Sequence, residues 1–124
     1  MATVLEIAFT TYPTTDMPRA RAFYEKHFSL KATEVLERPD FAFTEYEIGP
    51  GCFALAKMEG WKPSGDGANL AFEMEDFDAA IAELKAAGVT FAMEPFETRV
   101  CHMALVLDPD GNKITVHKRK PGHH

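Results

Sequence analysis

The sequence has few cysteines and no long apolar run, and each shortage excludes a class of protein. Two cysteines, Cys52 and Cys101, occur in 124 residues, which favours buried thiols in a reducing compartment over a disulfide framework. No stretch approaches the roughly 20 apolar residues of a membrane-spanning helix. The N-terminus also lacks the basic-then-apolar order of an export signal. We therefore expect a cytoplasmic protein with no membrane partner.

Basic residues are also scarce. Thirteen Lys and Arg stand against nineteen Asp and Glu, which leaves a net charge of −6. An acidic surface repels phosphate backbones, so nucleic acid is not an expected partner. The length of 124 residues and the 46% hydrophobic content fit one globular domain with its own core.

Several catalytic motifs are missing from the chain. It contains no phosphate-binding glycine loop, no G-x-S-x-G, no H-E-x-x-H and no C-x-x-C. Cys101 and His102 are neighbours on a predicted strand, where successive side chains point to opposite faces. They are therefore not expected to form a nucleophile–base pair.

The chain does contain one order of elements, strand–helix–strand–strand–strand, found twice. Asp16 caps a helix that begins at Met17, and Asp76 caps a helix that ends before Gly88. Strands are predicted at 4–11, 31–36, 41–48 and 52–58, and again at 68–75, 89–93, 100–107 and 113–118. The Gly- and Pro-rich segment 59–67 reads as a linker, and 119–124 as a tail.

The two copies can be aligned residue by residue. Glu6-Ile7-Ala8-Phe9 matches Asn69-Leu70-Ala71-Phe72, an offset of 63, whereas Asp16 matches Asp76, an offset of 60. This alignment predicts that the first strand–helix loop is three residues longer than the second. We interpret residues 1–124 as one domain of two modules, at about 4–58 and 68–118.

This doubled order resembles the vicinal oxygen chelate superfamily, which includes glyoxalase I, extradiol dioxygenases and bleomycin-resistance proteins. DMPRARAFYEKHF at 16–28 looks like its first-helix signature, and LDPDGNKITV at 107–116 looks like its final hairpin. The resemblance implies an α+β fold in which two tandem βαβββ modules form a curved mixed sheet around a cleft. It also implies that a homodimer is common.

Metal-dependent members of this superfamily hold a divalent ion on the first and last strands of each module, where it acts as a Lewis acid. The resemblance puts the four positions at Glu6, Asn69, Thr115 and Leu55, with Ala54 in place of Leu55 if the register slips by one. Only Glu6 is a good ligand, because metal sites need histidine or carboxylate at nearly every position. We therefore expect no metal cofactor.

A displaced metal site is the alternative. Glu6, His102 and His117 would make a two-histidine, one-carboxylate set for Zn, Ni, Fe or Mn, if the strand register brought them together. The competing interpretation is that each histidine is an ordinary hydrogen-bonded strand residue.

Without a metal, the cleft still offers hydrogen-bonding groups to a small organic ligand, namely those of Glu6, Asn69, Thr115 and His117. Glu6 would serve as a general base if burial raised its pKa, and otherwise would pair with a neighbouring amide or hydroxyl.

Two further residues are candidates for ligand binding. Trp61 stands in the linker and would cover a ligand, or would pack the linker onto the domain. Arg99 follows the predicted Glu94-Pro95 loop and would meet an anionic group, or would lie solvated at a strand end.

We therefore expect a glyoxalase/bleomycin-resistance-like protein that binds a small organic ligand in its cleft without the family metal. One alternative is a metal- or Glu-dependent lyase, isomerase or dioxygenase of the same superfamily. The other is a non-catalytic dimeric scaffold.

Overall fold

The computed structural model describes residues 2–122, and the chain divides into two compact units between Pro63 and Ser64. This division falls inside the segment 59–67 that the sequence marks as a linker. Each unit has one helix and a four-stranded mixed sheet in the order βαβββ. The predicted α+β fold class with two tandem βαβββ modules is confirmed. Among residues 2–122, no helix is long and apolar enough to cross a membrane.

Unit 1 carries the first set of elements. They are β1 (Thr10–Pro13), α1 (Met17–His27), β2 (Ala32–Arg38), β3 (Phe41–Ile48) and β4 (Gly51–Met58). The sheet order is β1-β4-β3-β2, with β1 parallel to β4 and the other pairs antiparallel.

Unit 2 repeats this arrangement. Its elements are β5 (Leu70–Glu73), α2 (Phe77–Ala86), β6 (Phe91–Glu97), β7 (Cys101–Leu107) and β8 (Lys113–Arg119). The sheet order is β5-β8-β7-β6, with β5 parallel to β8 and the other pairs antiparallel.

Both helices begin where their caps predict. The Asp16 carboxylate accepts the backbone N–H of Arg19 at 3.1 Å, and the Asp76 carboxylate accepts that of Ala79 at 3.0 Å. Gly88 follows the last turn of α2 with a φ of +76°, a left-handed conformation that glycine adopts without a Cβ clash.

Each helix covers one face of its own sheet. In unit 1 the rings of Tyr24 and Phe53 lie 4.9 Å apart, and Tyr46 stacks on Phe53 at 5.9 Å. In unit 2 Ala104 and Val106 of β7 pair with Val116 and Ile114 of β8, and all four are fully buried. The strand period of two puts them on the same face as His102, whose ring lies 5.7 Å from that of Phe77 on α2. The alternate residues lie on the opposite face, which carries the polar side chains considered below.

The first strand lies later in the chain than 4–11. It begins at Thr10 because its partner β4 begins only two residues before Phe53, to which Thr10 pairs. Pro13 ends β1 without cost, since β1 is an edge strand and needs no further N–H donor there.

This shift corrects the alignment of the two modules. Thr10 and Leu70 begin the first strands, and Asp16 and Asp76 cap the helices, so both offsets are 60. The predicted three-residue difference in loop length is therefore wrong.

The loop predicted at Glu94-Pro95 is also wrong, because β6 runs on through both residues to Glu97. β6 is an edge strand that pairs only with β7, and its register shifts on both sides of Met93. Such irregularities accommodate a proline that cannot donate to the ladder.

Candidate ligand-binding site

The face of the unit 2 sheet opposite α2 brings together two of the predicted site residues. Thr115 pairs with Ala71 and Leu105 across the ladders, two positions before His117 on β8. The strand period of two therefore puts the Thr115 and His117 side chains on one face, as predicted from the sequence.

A carboxylate that the sequence analysis missed completes this polar group. Glu73 of β5 lies opposite His117, and its Oε1 is 2.6 Å from Nδ1 of that ring. Glu73 Oε2 accepts the backbone N–H of Arg119 at 2.7 Å, and the Arg119 guanidinium lies 3.8 Å from Oε1. One sequence signal could have identified Glu73: it is a charged residue at the end of the otherwise apolar strand Leu-Ala-Phe-Glu.

These contacts set the charge of Glu73. Desolvation raises the pKa of its carboxyl group, but the Arg119 N–H together with the hydrogen bond and charge of His117 outweighs it. The pKa of Glu73 is therefore lowered from its ordinary value, and the group is ionised near neutral pH. An ionised carboxylate accepts hydrogen bonds only, so the Nδ1 that faces it carries the proton.

Apolar side chains lie beside this polar group on the same face. Met103 pairs with His117 and with Phe96, while Leu105 pairs with Thr115 and with Met93. Met93 and Phe96 are 47% and 40% exposed. Apolar area with a few fixed polar groups is what organic ligands require. The unit 2 ligand face is defined by these residues: Glu73, Met93, Phe96, Met103, Leu105, Thr115 and His117.

The remaining candidates of the sequence analysis lie elsewhere. Asn69 is exposed and immediately precedes β5, and Arg99 is exposed in the turn between β6 and β7. Glu6 precedes β1, belongs to no strand and is exposed, so the burial that its role as a base requires is lacking. Its predicted position on the first strand is wrong.

The family metal does not fit the residues present. Ala71 pairs with Thr115 and Thr11 pairs with Ala54, so Ala54 matches Thr115. The offset of 60 between the first strands matches Phe9, instead of Glu6, to Asn69. The four positions are then occupied by a phenyl ring, a methyl group, a neutral amide and a hydroxyl, those of Phe9, Ala54, Asn69 and Thr115. A metal site needs imidazole or carboxylate ligands at nearly every position.

The structure does not bring together the alternative metal set of Glu6, His102 and His117. The His102 ring lies 5.7 Å from that of Phe77 on α2, whereas His117 lies on the opposite face of the sheet with Glu73. One ion cannot bind histidines on both faces of a sheet. Within residues 2–122, no group of three or more His, Cys, Asp or Glu side chains converges to hold a metal ion.

Trp61 belongs to unit 1 and is therefore not part of the unit 2 ligand face. It follows β4, is 39% exposed and lines a cavity of about 450 Å³.

Comparisons with known proteins agree with this architecture. The model of the Glyoxalase/Bleomycin resistance protein/Dioxygenase superfamily matches residues 6–116. No curated protein matches the chain. Among solved structures, a trypanothione-dependent glyoxalase I of Leishmania major is 22% identical, with a TM-score of 0.76 over 93% of this chain and 87% of that one.

Two further structures extend the comparison. A glyoxalase/bleomycin resistance protein of Streptomyces sp. CB03234 is 23% identical, with a TM-score of 0.75 over 91% of this chain and 100% of that one. A glyoxalase I variant of Zea mays is 20% identical, with a TM-score of 0.76 over 90% of this chain and 43% of that one. At these identities the likeness concerns the fold.

Proposed function

Because the chain belongs to the glyoxalase/bleomycin resistance protein/dioxygenase superfamily, we propose that it binds a small organic ligand on the unit 2 ligand face without the family metal. One observation carries the proposal. The four family metal positions hold Phe9, Ala54, Asn69 and Thr115, while the Glu73–His117 pair lies beside an apolar surface on the same sheet face.

Each group on this face has a definite role toward a ligand. Glu73 holds the Nδ1 proton of His117, which leaves Nε2 as the polar atom of the ring that a ligand can bind. A hydroxyl can both donate and accept a hydrogen bond, so a ligand hydroxyl is the group that matches Nε2. The negative charge of Glu73 disfavours an anionic ligand. Met103 and Phe96 offer an apolar surface to the apolar part of the ligand. A neutral hydroxyl-bearing aromatic compound fits best.

Methionine methyl resonances test this function directly. With ¹³C-methyl methionine, phenol should shift the Met93 and Met103 signals in a saturable way. Met17, the buried first residue of α1, should stay unmoved as the internal control. His117→Ala should weaken phenol binding several-fold. Saturable shifts that are unchanged in His117→Ala, or no saturation at all, would overturn the proposed site.

Metal content tests the second half of the proposal. Protein purified without chelator should contain substoichiometric Zn, Ni, Fe and Mn, and a chelator should leave its thermal unfolding midpoint unchanged. One equivalent of metal per chain, whose removal lowers the midpoint, would contradict a metal-free site.

The Glu73–His117 pair also favours one enzymatic alternative, a lyase or isomerase in which Glu73 orients His117 as the general base. In this alternative, Nε2 of His117 would take a proton from the bound compound while Glu73 holds the ring in place. Turnover of a bound compound that is lost in both His117→Ala and Glu73→Gln would select this alternative over simple binding.

The proposal includes a homodimer in a reducing compartment such as the cytoplasm. Val4, Leu5 and Ile7 are more than 80% exposed, and a second copy of the chain would cover this apolar surface. Cys52 and Cys101 are both free thiols, which supports the assignment of compartment.

A further inference from the structure

Four chain segments meet at one end of the unit 1 sheet and line the cavity of about 450 Å³. β1 and β4 end there, β2 passes into β3 through the turn at Pro39 and Asp40, and the chain after β4 turns back. Ligand pockets have volumes of roughly 300–1,000 Å³, so this end pocket is large enough for a small molecule.

A tight turn places Trp61 against the end pocket. The Trp61 backbone N–H donates to the Met58 carbonyl at 3.1 Å, and Gly60 between them has a φ of +83°. Glycine is favoured at that position because a Cβ would be strained. Phe41 of β3 also lines the pocket, so two aromatic rings are available to a planar ligand.

The end pocket is lined by charged side chains of both signs. Arg38, Lys57 and Lys62 line it together with Asp40 and Glu59. In the part of the chain that the structure describes, none of these five makes an ion pair. The pocket therefore keeps three cations and two anions available to a ligand.

The matching end of unit 2 is arranged differently. There Lys120 forms an ion pair with Glu97 at 2.7 Å, and its backbone N–H donates to the Val100 carbonyl at 2.9 Å. The cavity beside the start of α2 is lined by three carboxylates, those of Glu75, Asp76 and Asp78, and by a single lysine, Lys118, together with Phe77 and His102. The repeated fold therefore does not by itself produce a pocket rich in unpaired cations.

We infer that the end pocket is a binding site for a small aromatic carboxylate, separate from the unit 2 ligand face. The carboxylate meets Arg38, Lys57 and Lys62, and the aromatic ring lies against Trp61 and Phe41. Asp40 and Glu59 repel a second negative charge, which favours a monoanion over a polyphosphate.

The chain offers a specific signal for the test, because Trp61 is its single tryptophan. Its indole N–H gives one amide-type cross-peak in a ¹⁵N spectrum. Titration with 1-naphthoate should move this peak to saturation. The neutral isostere 1-naphthalenemethanol should bind at least about fivefold more weakly, since it lacks the charge.

Charge-removing variants test the assigned cations. Lys57→Gln and Lys62→Gln should each weaken 1-naphthoate binding by about twofold to fivefold, which is the range of exposed ion pairs. Lys31→Gln, exposed on unit 1 and outside the pocket lining, is the matched control and should leave it unchanged. If Lys57→Gln and Lys62→Gln bind as Lys31→Gln does, or if the neutral isostere binds equally well, the inference is wrong.

The same titration separates this site from the proposed function. 1-Naphthoate should leave the Met93 and Met103 methyl signals unmoved, whereas phenol should move them and leave the Trp61 indole peak in place. Displacement of only the methyl signals by 1-naphthoate would overturn the end pocket and retain the unit 2 ligand face.

Discussion

Tyr46 has no exposed surface, and its hydroxyl donates to Glu25 at 2.8 Å, while Arg21 Nε donates to the same oxygen at 2.8 Å. Burial and the Glu25 carboxylate raise the pKa of Tyr46. Tyr46→Phe should lower the free energy of unfolding by about 1–2 kcal/mol, since Glu25 keeps its contact with Arg21. Urea denaturation measures this loss. In a Glu25→Ala background the loss should shrink, and an equal loss there would show that the hydrogen bond is not its cause.

Glu73 makes stability depend on acid pH. Its folded-state pKa lies below its unfolded value of 4.5, so its stabilising contribution is present above that pH and is lost as the pH falls below it. Glu73→Gln should therefore flatten the acid limb of the stability–pH curve, by less than about 1 kcal/mol because the pair is solvent-screened. Glu83→Gln, at an exposed carboxylate on α2, should keep the wild-type slope. An unchanged slope in Glu73→Gln would contradict the assignment.

At the scale of an element, the turn between β7 and β8 depends on Asp108. Its buried carboxylate accepts the backbone N–H groups of Asp110 and Asn112 and the Asn112 side-chain amide, each at 2.9 Å. Asp108→Ala leaves these donors without their acceptor and should cost about 2–4 kcal/mol. Chemical denaturation measures the loss, and Asp66→Ala in an exposed turn should cost less than about 0.5 kcal/mol. A small loss for Asp108→Ala would mean that water replaces the carboxylate.

The same turn explains why the segment LDPDGN identifies the fold. Asp108 and Asn112 connect the ends of β7 and β8, and Gly111 has a φ of +88°. These residues stabilise the hairpin that carries Thr115 and His117 and do not form part of the unit 2 ligand face. A motif can therefore mark a family through its folding role.

For the whole molecule, residues 2–7 extend beyond the sheet that contains β1. β4 begins at Gly51, two residues before the partner of Thr10, so residues 2–7 have no strand of unit 1 to pair with. Deletion of residues 2–8, or the triple variant Val4→Ser, Leu5→Ser and Ile7→Ser, should convert the proposed homodimer to a monomer. Light scattering coupled to size exclusion measures the mass. A dimer that survives both changes would assign the interface to another surface.

The sequence by itself determined the elements and their order, because their signals are local. Asp16 and Asp76 cap helices through contacts within three residues, and the apolar spacing that follows selects the buried stripe. The alternation of β8 also put Thr115 and His117 on one face.

Tertiary structure decided where the first strand begins and which side chains meet. The start of β1 depends on the length of β4, about 40 residues later, and the Glu73–His117 contact joins strands 44 residues apart. Local propensity carries no information about such pairings, since register is a property of two strands together. The same reason separates His102 from His117. It also aligns Phe9, instead of Glu6, with Asn69 when the two modules are compared.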